Sequence, residues 1–233
     1  MKINRKSGIS TLIACAFAFS ANAADEVPGK QWQFDVALDG KPIGVHTFEL
    51  QDDGSKQVLT TEASFDVKFL FINAFRYRHQ NTEIWKDGCL ASIDASTDSN
   101  GKQFDVRGEV GDGSFDVLGA EGSITLPGCV QTFAYWNPAI LETQKLLNSQ
   151  TGEYEDVTVT LEGREQLPVA GEPVDTFRYR LSAQAGDITL WYSSTDNTWV
   201  GLEAPAKGGR KLRYQAVVVP DRDASRQLVA RSN

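Results

Sequence analysis

The chain has 233 residues, of which 31 are acidic and 23 basic, for a net charge of −8, and 41% are hydrophobic. That length suffices for one sizeable core. So acidic a surface repels phosphates and argues against nucleic-acid binding, and no segment beyond the N-terminal region is apolar and long enough for a membrane helix.

Lys2, Arg5 and Lys6 precede an apolar run at 9–19, and Ala21-Asn22-Ala23 follows it with a small-x-small site before Asp25 and Glu26. This is the pattern of a secretory signal over residues 1–23, its apolar run being shorter than the roughly 20 residues of a spanning helix. Cleavage after Ala23 removes 23 of the 233 residues and three basic ones, leaving 210 with 20 basic and 31 acidic side chains, net −11. A short basic signal suits a Gram-negative periplasm. The alternative is a lipoprotein acylated at Cys15 within Leu12-Ile13-Ala14-Cys15. Against it, the chain stays apolar through Phe19, where lipoproteins turn polar.

From residue 24 to 219 one β-rich domain is expected. Segments at 32–38, 43–50, 58–70 and 75–85 alternate apolar and polar residues, and Asp39-Gly40, Asp53-Gly54 and Asp87-Gly88 punctuate them. Further segments follow at 175–183, 188–194, 199–204 and 211–219. About a dozen strands so punctuated predict an all-β, mainly antiparallel fold, a curved sheet or open barrel. One short covering helix is predicted near 138–147, with Asn137 as N-cap, Pro138 at the first helical position and Trp136 as a staple on Leu141. Residues 220–233 read as a polar tail.

Phe75-Arg76-Tyr77-Arg78 recurs as Phe177-Arg178-Tyr179-Arg180. With period 2, Phe75, Tyr77, His79 and Trp85 share one face of a strand and Arg76 and Arg78 the other, so the aromatic side is the expected interior. His46 falls on the same face as Phe48 and Leu50 and is expected to point inward. Glu83 lies four residues beyond His79. On a strand that spans about 13 Å, too far for one ion, and no metal site is expected. Cys89 and Cys129 remain after signal removal. They read as a disulfide in an oxidising compartment, with two buried free thiols as the alternative.

No nucleophile elbow and no H-E-x-x-H motif occur, and no cofactor is indicated. Asp98-Ser99-Asn100-Gly101 reads as a hairpin turn rather than a calcium loop. Aromatic residues gather near the predicted helix, at Phe133, Tyr135 and Trp136, and late in the chain, at Trp191, Tyr192 and Trp199. They either fill a wide core or line an apolar cavity, since filled and hollow barrels share one alternation.

The segment from Phe34-Asp35-Val36-Ala37-Leu38 through Asp39-Gly40-Lys41-Pro42-Ile43-Gly44-Val45-His46 resembles domain-of-unknown-function family 6134. So do Trp85-Lys86-Asp87-Gly88-Cys89-Leu90 and Thr132-Phe133-Ala134-Tyr135-Trp136-Asn137-Pro138. The stretch from Leu190-Trp191-Tyr192 to Leu212-Arg213-Tyr214 resembles it too, and more distantly family 3108. The resemblance implies an exported, β-rich bacterial domain with no attached activity. The architecture is also similar to the unclosed barrels that carry lipoproteins between bacterial membranes, an analogy of fold alone.

The leading functional expectation is a non-catalytic periplasmic binding or carrier module for an apolar or lipid-like ligand. His46, Tyr77, His79, Tyr135, Trp136 and Trp191 are the candidate ligand contacts. An envelope structural or assembly protein acting through protein contacts is the alternative, and an enzyme using His46 or His79 is the third reading.

Overall fold

The computed structural model describes residues 29–69 and 72–220. The predicted signal, the Cys15 alternative and nearly all of the polar tail lie outside the described residues. Inside them, alternation becomes strand after strand. The first run comprises β1 (Lys30–Leu38), β2 (Lys41–Asp52), β3 (Gln57–Phe69), β4 (Ile72–Lys86), β5 (Cys89–Ser99), β6 (Lys102–Gly111), β7 (Ser114–Gly119) and β8 (Gly122–Pro127). After a connecting segment with a short ribbon, β9 (Lys145–Leu147) and β10 (Tyr154–Asp156), the second run begins. It comprises β11 (Thr158–Val169), β12 (Glu172–Ala183), β13 (Gly186–Ser193), β14 (Trp199–Ala206) and β15 (Arg210–Val218).

Thirteen strands form one antiparallel sheet in the order β11-β12-β13-β14-β15-β1-β2-β3-β4-β5-β6-β7-β8. Its two ends, β8 and β11, are consecutive sheet strands along the chain, so the meander would close on itself if they paired. The segment 128–157 fills that seam instead. The second run rolls tightly, its first hairpin reaching back so that Ala170 donates its N–H to the Ala216 carbonyl of β15 at 2.9 Å. Four hairpins turn on Asp-Gly or Asn-Gly pairs with both residues at positive φ, as at Asn100 (55°) and Gly101 (91°). That is the two-residue turn whose twist matches the flanking strands. Before Asn100, Asp98 Oδ1 accepts the Gly101 N–H at 2.7 Å.

The seam segment is held from both ends. Cys89 and Cys129 form a disulfide across 40 residues, a loop the chain-entropy argument values at roughly 4 kcal/mol. Beside it Leu90 donates to the Val130 carbonyl at 3.0 Å. Farther along, Gly119 and Gly152 meet backbone to backbone: a Cβ on Gly152 would stand 2.7 Å from the Gly119 Cα.

The predicted helix is corrected here. Asn137 does cap, its Oδ1 accepting from Ala139 N at 3.1 Å with Pro138 next, but only a 3-10 turn succeeds it, Pro138–Glu142. Beyond it the chain extends into β9. From Ile140 the helical positions three and four residues on are Thr143 and Gln144, both polar, so no apolar stripe continues. Leu146 and Leu147 are adjacent and both fully buried, as befits an extended segment enclosed on both faces. Trp136 packs edge-on against Trp85 at 5.7 Å.

Candidate functional site

The register lines up inward-facing residues in rows across the strands. One row runs Leu50, Leu59, Glu83 and Ile93 from β2 to β5; the next runs Phe48, Thr61, Asn81 and Ala95. A third holds Phe34, His46, Ala63, His79 and Thr97, and the fourth Val36, Gly44, Phe65, Tyr77 and Ser99. Each strand thus passes from an apolar filled end, through a polar belt, to an apolar rim.

Two cavities occupy the belt and the rim. The inner one, about 230 Å³, is lined by His46, Thr61, His79, Asn81, Glu83 and Tyr135, with Phe48 and Trp199 among its aromatic walls. The outer one, about 550 Å³, is bounded by Leu38, Ile43, Phe65, Val67, Phe75 and Leu212, with Lys207 and Arg210 also on its wall. His46, Tyr77, Gln150 and Tyr214 border both. Tyr77 donates its hydroxyl to Gln150 Oε1 at 2.9 Å, and His46 Nδ1 shares a hydrogen bond with the Tyr214 hydroxyl at 3.2 Å. These two links partition an otherwise continuous hollow.

His46 and His79 both face Ala63, whose methyl keeps the rings two strands apart. His79 Nδ1 shares a 2.8 Å hydrogen bond with the buried Thr97 hydroxyl. Burial pushes the His79 imidazole down to about 4. His46 borders the hollow and stacks on Phe48 at 4.1 Å. It falls to about 3, by burial first and by the charge of His79 second. Both rings are therefore neutral at ordinary pH. Burial likewise pushes the Tyr77 phenol up to about 12 and raises Tyr135 and Tyr214 too.

Glu83, weighed in the sequence only as a metal partner for His79, turns out to be a buried carboxyl of the interior. It is 2% exposed, yet it sits in an apolar row. Asn81 Nδ2 donates to its Oε1 at 2.9 Å, and Trp85 Nε1 (3.0 Å) and Thr132 Oγ1 (3.3 Å) donate to its Oε2. Burial raises its pKa against the pull of these donors. The signal was present in the alternation itself: the parity that turns His79 inward turns Asn81 and Glu83 inward too. Thr132 joins the seam segment to the sheet through this carboxyl.

Of the six predicted contacts, His46, Tyr77, His79 and Tyr135 line the inner cavity. Trp136 does not; it packs on Trp85 in the filled end, its Nε1 buried without a partner. Trp191 lies on the opposite sheet face, donating its Nε1 to Glu165 at 2.7 Å beneath the Arg213 guanidinium. Its strand neighbours Leu190 and Tyr192 turn inward instead, and Trp191 pairs across with Arg178, whose guanidinium is on the solvent side. Parity therefore removes it from the hollow. Chemically the hollow offers hydrogen bonding and apolar contact. Among the described residues neither imidazole is hydrogen-bonded to a carboxylate that would orient it as a general base. Among the described residues no cluster of three His, Cys, Asp or Glu could hold a metal ion.

Residues 34–217 match the family described as domain of unknown function DUF6134. The chain belongs to that family. No curated protein matches it. Among solved structures it is similar to the crystal structure of a beta-barrel-like protein of domain of unknown function DUF1849 from Brucella abortus. The TM-score is 0.60 at 14% identity, covering 82% of this chain and 97% of that one. At that identity the likeness shows a shared fold and no more. For DUF6134 it places the rolled sheet among barrel-like architectures.

Proposed function

We propose that this protein is an exported, non-catalytic binding or carrier module for an apolar or lipid-like ligand. One observation carries the reading: inside the rolled sheet an apolar outer cavity adjoins, across the Tyr77–Gln150 and His46–Tyr214 links, an inner one whose aromatic walls carry buried polar groups, as an amphipathic ligand requires. The disulfide suits an oxidising compartment such as the periplasm, in keeping with the N-terminal signal pattern. The neutral imidazoles serve as hydrogen-bonding walls. Native mass spectrometry of protein purified from the periplasm is expected to find a co-purifying lipid-like molecule that organic extraction removes. A ligand-free mass from several preparations would overturn the reading.

A second reading, an envelope structural or assembly protein, is supported by the open sheet edges. Among the described residues β8 and β11 each pair on one side only, and Leu161 of β11 is 54% exposed. Such an edge can accept a strand from a partner. Crosslinking in cells that traps one dominant partner through β11 favours this second reading.

A further inference from the structure

Two carboxyl side chains line the inner chamber, Glu83 from β4 and Glu155 from β10, and both are buried, at 2% and 8% exposure. No Lys or Arg stands among the described residues around it. Neither carboxyl takes part in any ion pair of the described residues. The donors they receive are uncharged: Asn81, Trp85 and Thr132 for Glu83, and Asn148 Nδ2 at 2.9 Å for Glu155. When ionised, a carboxylate accepts about four hydrogen bonds, so the three uncharged donors would leave Glu83 one open site and its charge without a counterion.

The second observation is independent of charge. Asn81 is 5% exposed, lines the chamber, and its Oδ1 has no hydrogen-bond partner. His46 Nε2 is buried and unpartnered in the same chamber. A buried unmet acceptor calls for a donor. Phe48, Tyr135 and Trp199 are among the aromatic residues of its wall.

We infer that the inner chamber is a subsite for a primary ammonium group carried on an apolar chain, the chain lying in the outer cavity. This rests on the carrier reading and names its ligand class. An ammonium brings three donors and the missing positive charge together. A hydroxyl brings one donor and leaves the charge unmet. A phosphate or carboxylate head would be stripped of water beside two carboxyls with no cation to receive it. The cations Lys207 and Arg210 line the outer cavity and not the inner chamber, and Arg210 is bound to Asp39 at 2.8 Å. An anionic head held there would press its apolar tail against Glu83 and Asn81.

The test titrates the purified protein, stripped of lipid, with dodecylamine, 1-dodecanol and dodecanoate, following tryptophan fluorescence, since Trp199 lines the chamber. The amine is expected to bind about tenfold or more tightly than the alcohol, and the carboxylate more weakly than either. Glu83→Gln is expected to bring the amine down to the level of the alcohol while leaving alcohol binding in place. Should that variant fail to fold, Glu155→Gln is expected to narrow the same preference. Equal binding of amine and alcohol, or tightest binding of the carboxylate, overturns the head assignment and leaves the carrier reading standing. So does an unchanged preference in a folded Gln variant. No binding by any of the three overturns the carrier reading and the subsite together.

Discussion

The two ends of the rolled sheet's interior are built by one alternation and yet have opposite character. At the filled end Trp85, Phe115, Leu146 and Leu147 are all at 1% exposure or less and merge with Phe34 and Trp199 into one large cluster. At the rim Val36, Ala63 and Phe65 form a small separate buried cluster edged by Ile43, Tyr77, Leu212 and Tyr214. Period 2 sends a side chain inward at both ends; its size decides whether the space fills. Where large residues from sheet and seam segment meet, the space closes. Where the aromatic wall is completed by small side chains such as Ala183 and Ala185, it stays open. Inwardness is therefore a property of the strand, and hollowness a property of the row.

The sharpest way to break this contrast is to remove one large side chain from each end. Trp85→Ala is expected to cost about 3–5 kcal/mol, the range for deleting a fully buried large aromatic. It also takes the Nε1 donor from buried Glu83 and the edge contact from Trp136. Ile43→Ala at the rim, where Ile43 is only half-buried against the outer cavity, is expected to cost about 1 kcal/mol or less. Urea unfolding of the two variants checks both. Equal losses would mean that the rim is as tightly filled as the other end.

Much of this interior is legible in the sequence, for a physical reason. Strand parity and Asx-Gly turns are local, so β1 to β4 and the inward turn of His46, Tyr77 and His79 follow from neighbours in the chain. The disulfide follows from having two cysteines in an oxidising setting. The helix expected past Glu142 fails because its apolar residues, Ile140 and Leu141 then Leu146 and Leu147, satisfy an extended chain buried on both faces as well as a helix. Composition draws Trp136 and Trp191 into the expected site; parity and the seam segment's path put one in the filled end and bury the other on the face away from the hollow. Glu83 is legible by parity and overlooked by chemical habit, since an isolated carboxylate is not expected inside. Its partner Thr132 lies 49 residues away, on a segment whose route no local pattern gives.

Acid sharpens the contrast next, because the titrating imidazoles sit in the belt between the two ends. An unfolded imidazole titrates near 6.5, whereas His79 and His46 in the fold are held at about 4 and about 3. Between those values the unfolded chain binds more protons, so stability is full above about pH 6.5 and declines as pH falls. At pH 5 each imidazole accounts for a loss of about 2 kcal/mol. Glu83 acts in the opposite sense: its raised pKa favours the fold on acidification and withdraws that support as pH rises above its unfolded value of 4.5. The carboxyls of Asp39, Asp52, Asp53 and Asp98 are all lowered from 3.8 by their hydrogen-bond partners, and their support fades only below that value. Urea midpoints at pH 7.5 and pH 5 are expected to differ, and His79→Gln to shrink the difference by up to half.

The smallest effect tests whether the rim moves independently of the filled end. Tyr77→Phe keeps the ring that stacks on Phe65 at 5.4 Å and deletes only the hydroxyl bonded to Gln150. Gln150 is half-buried and borders both cavities, so water can replace the lost partner and the cost is expected to be about 1 kcal/mol or less. The turn beyond that bond has its own supports: Asn148 Oδ1 accepts from the Gln150 and Thr151 amides at 2.9 and 3.3 Å. It should therefore loosen without unravelling. Amide exchange at residues 149–151 is expected to quicken while the β4–β5 amides flanking Trp85 keep their protection. Faster exchange at both places would show that the rim and the filled end open as one unit, and the partition between the cavities would then have no motion of its own.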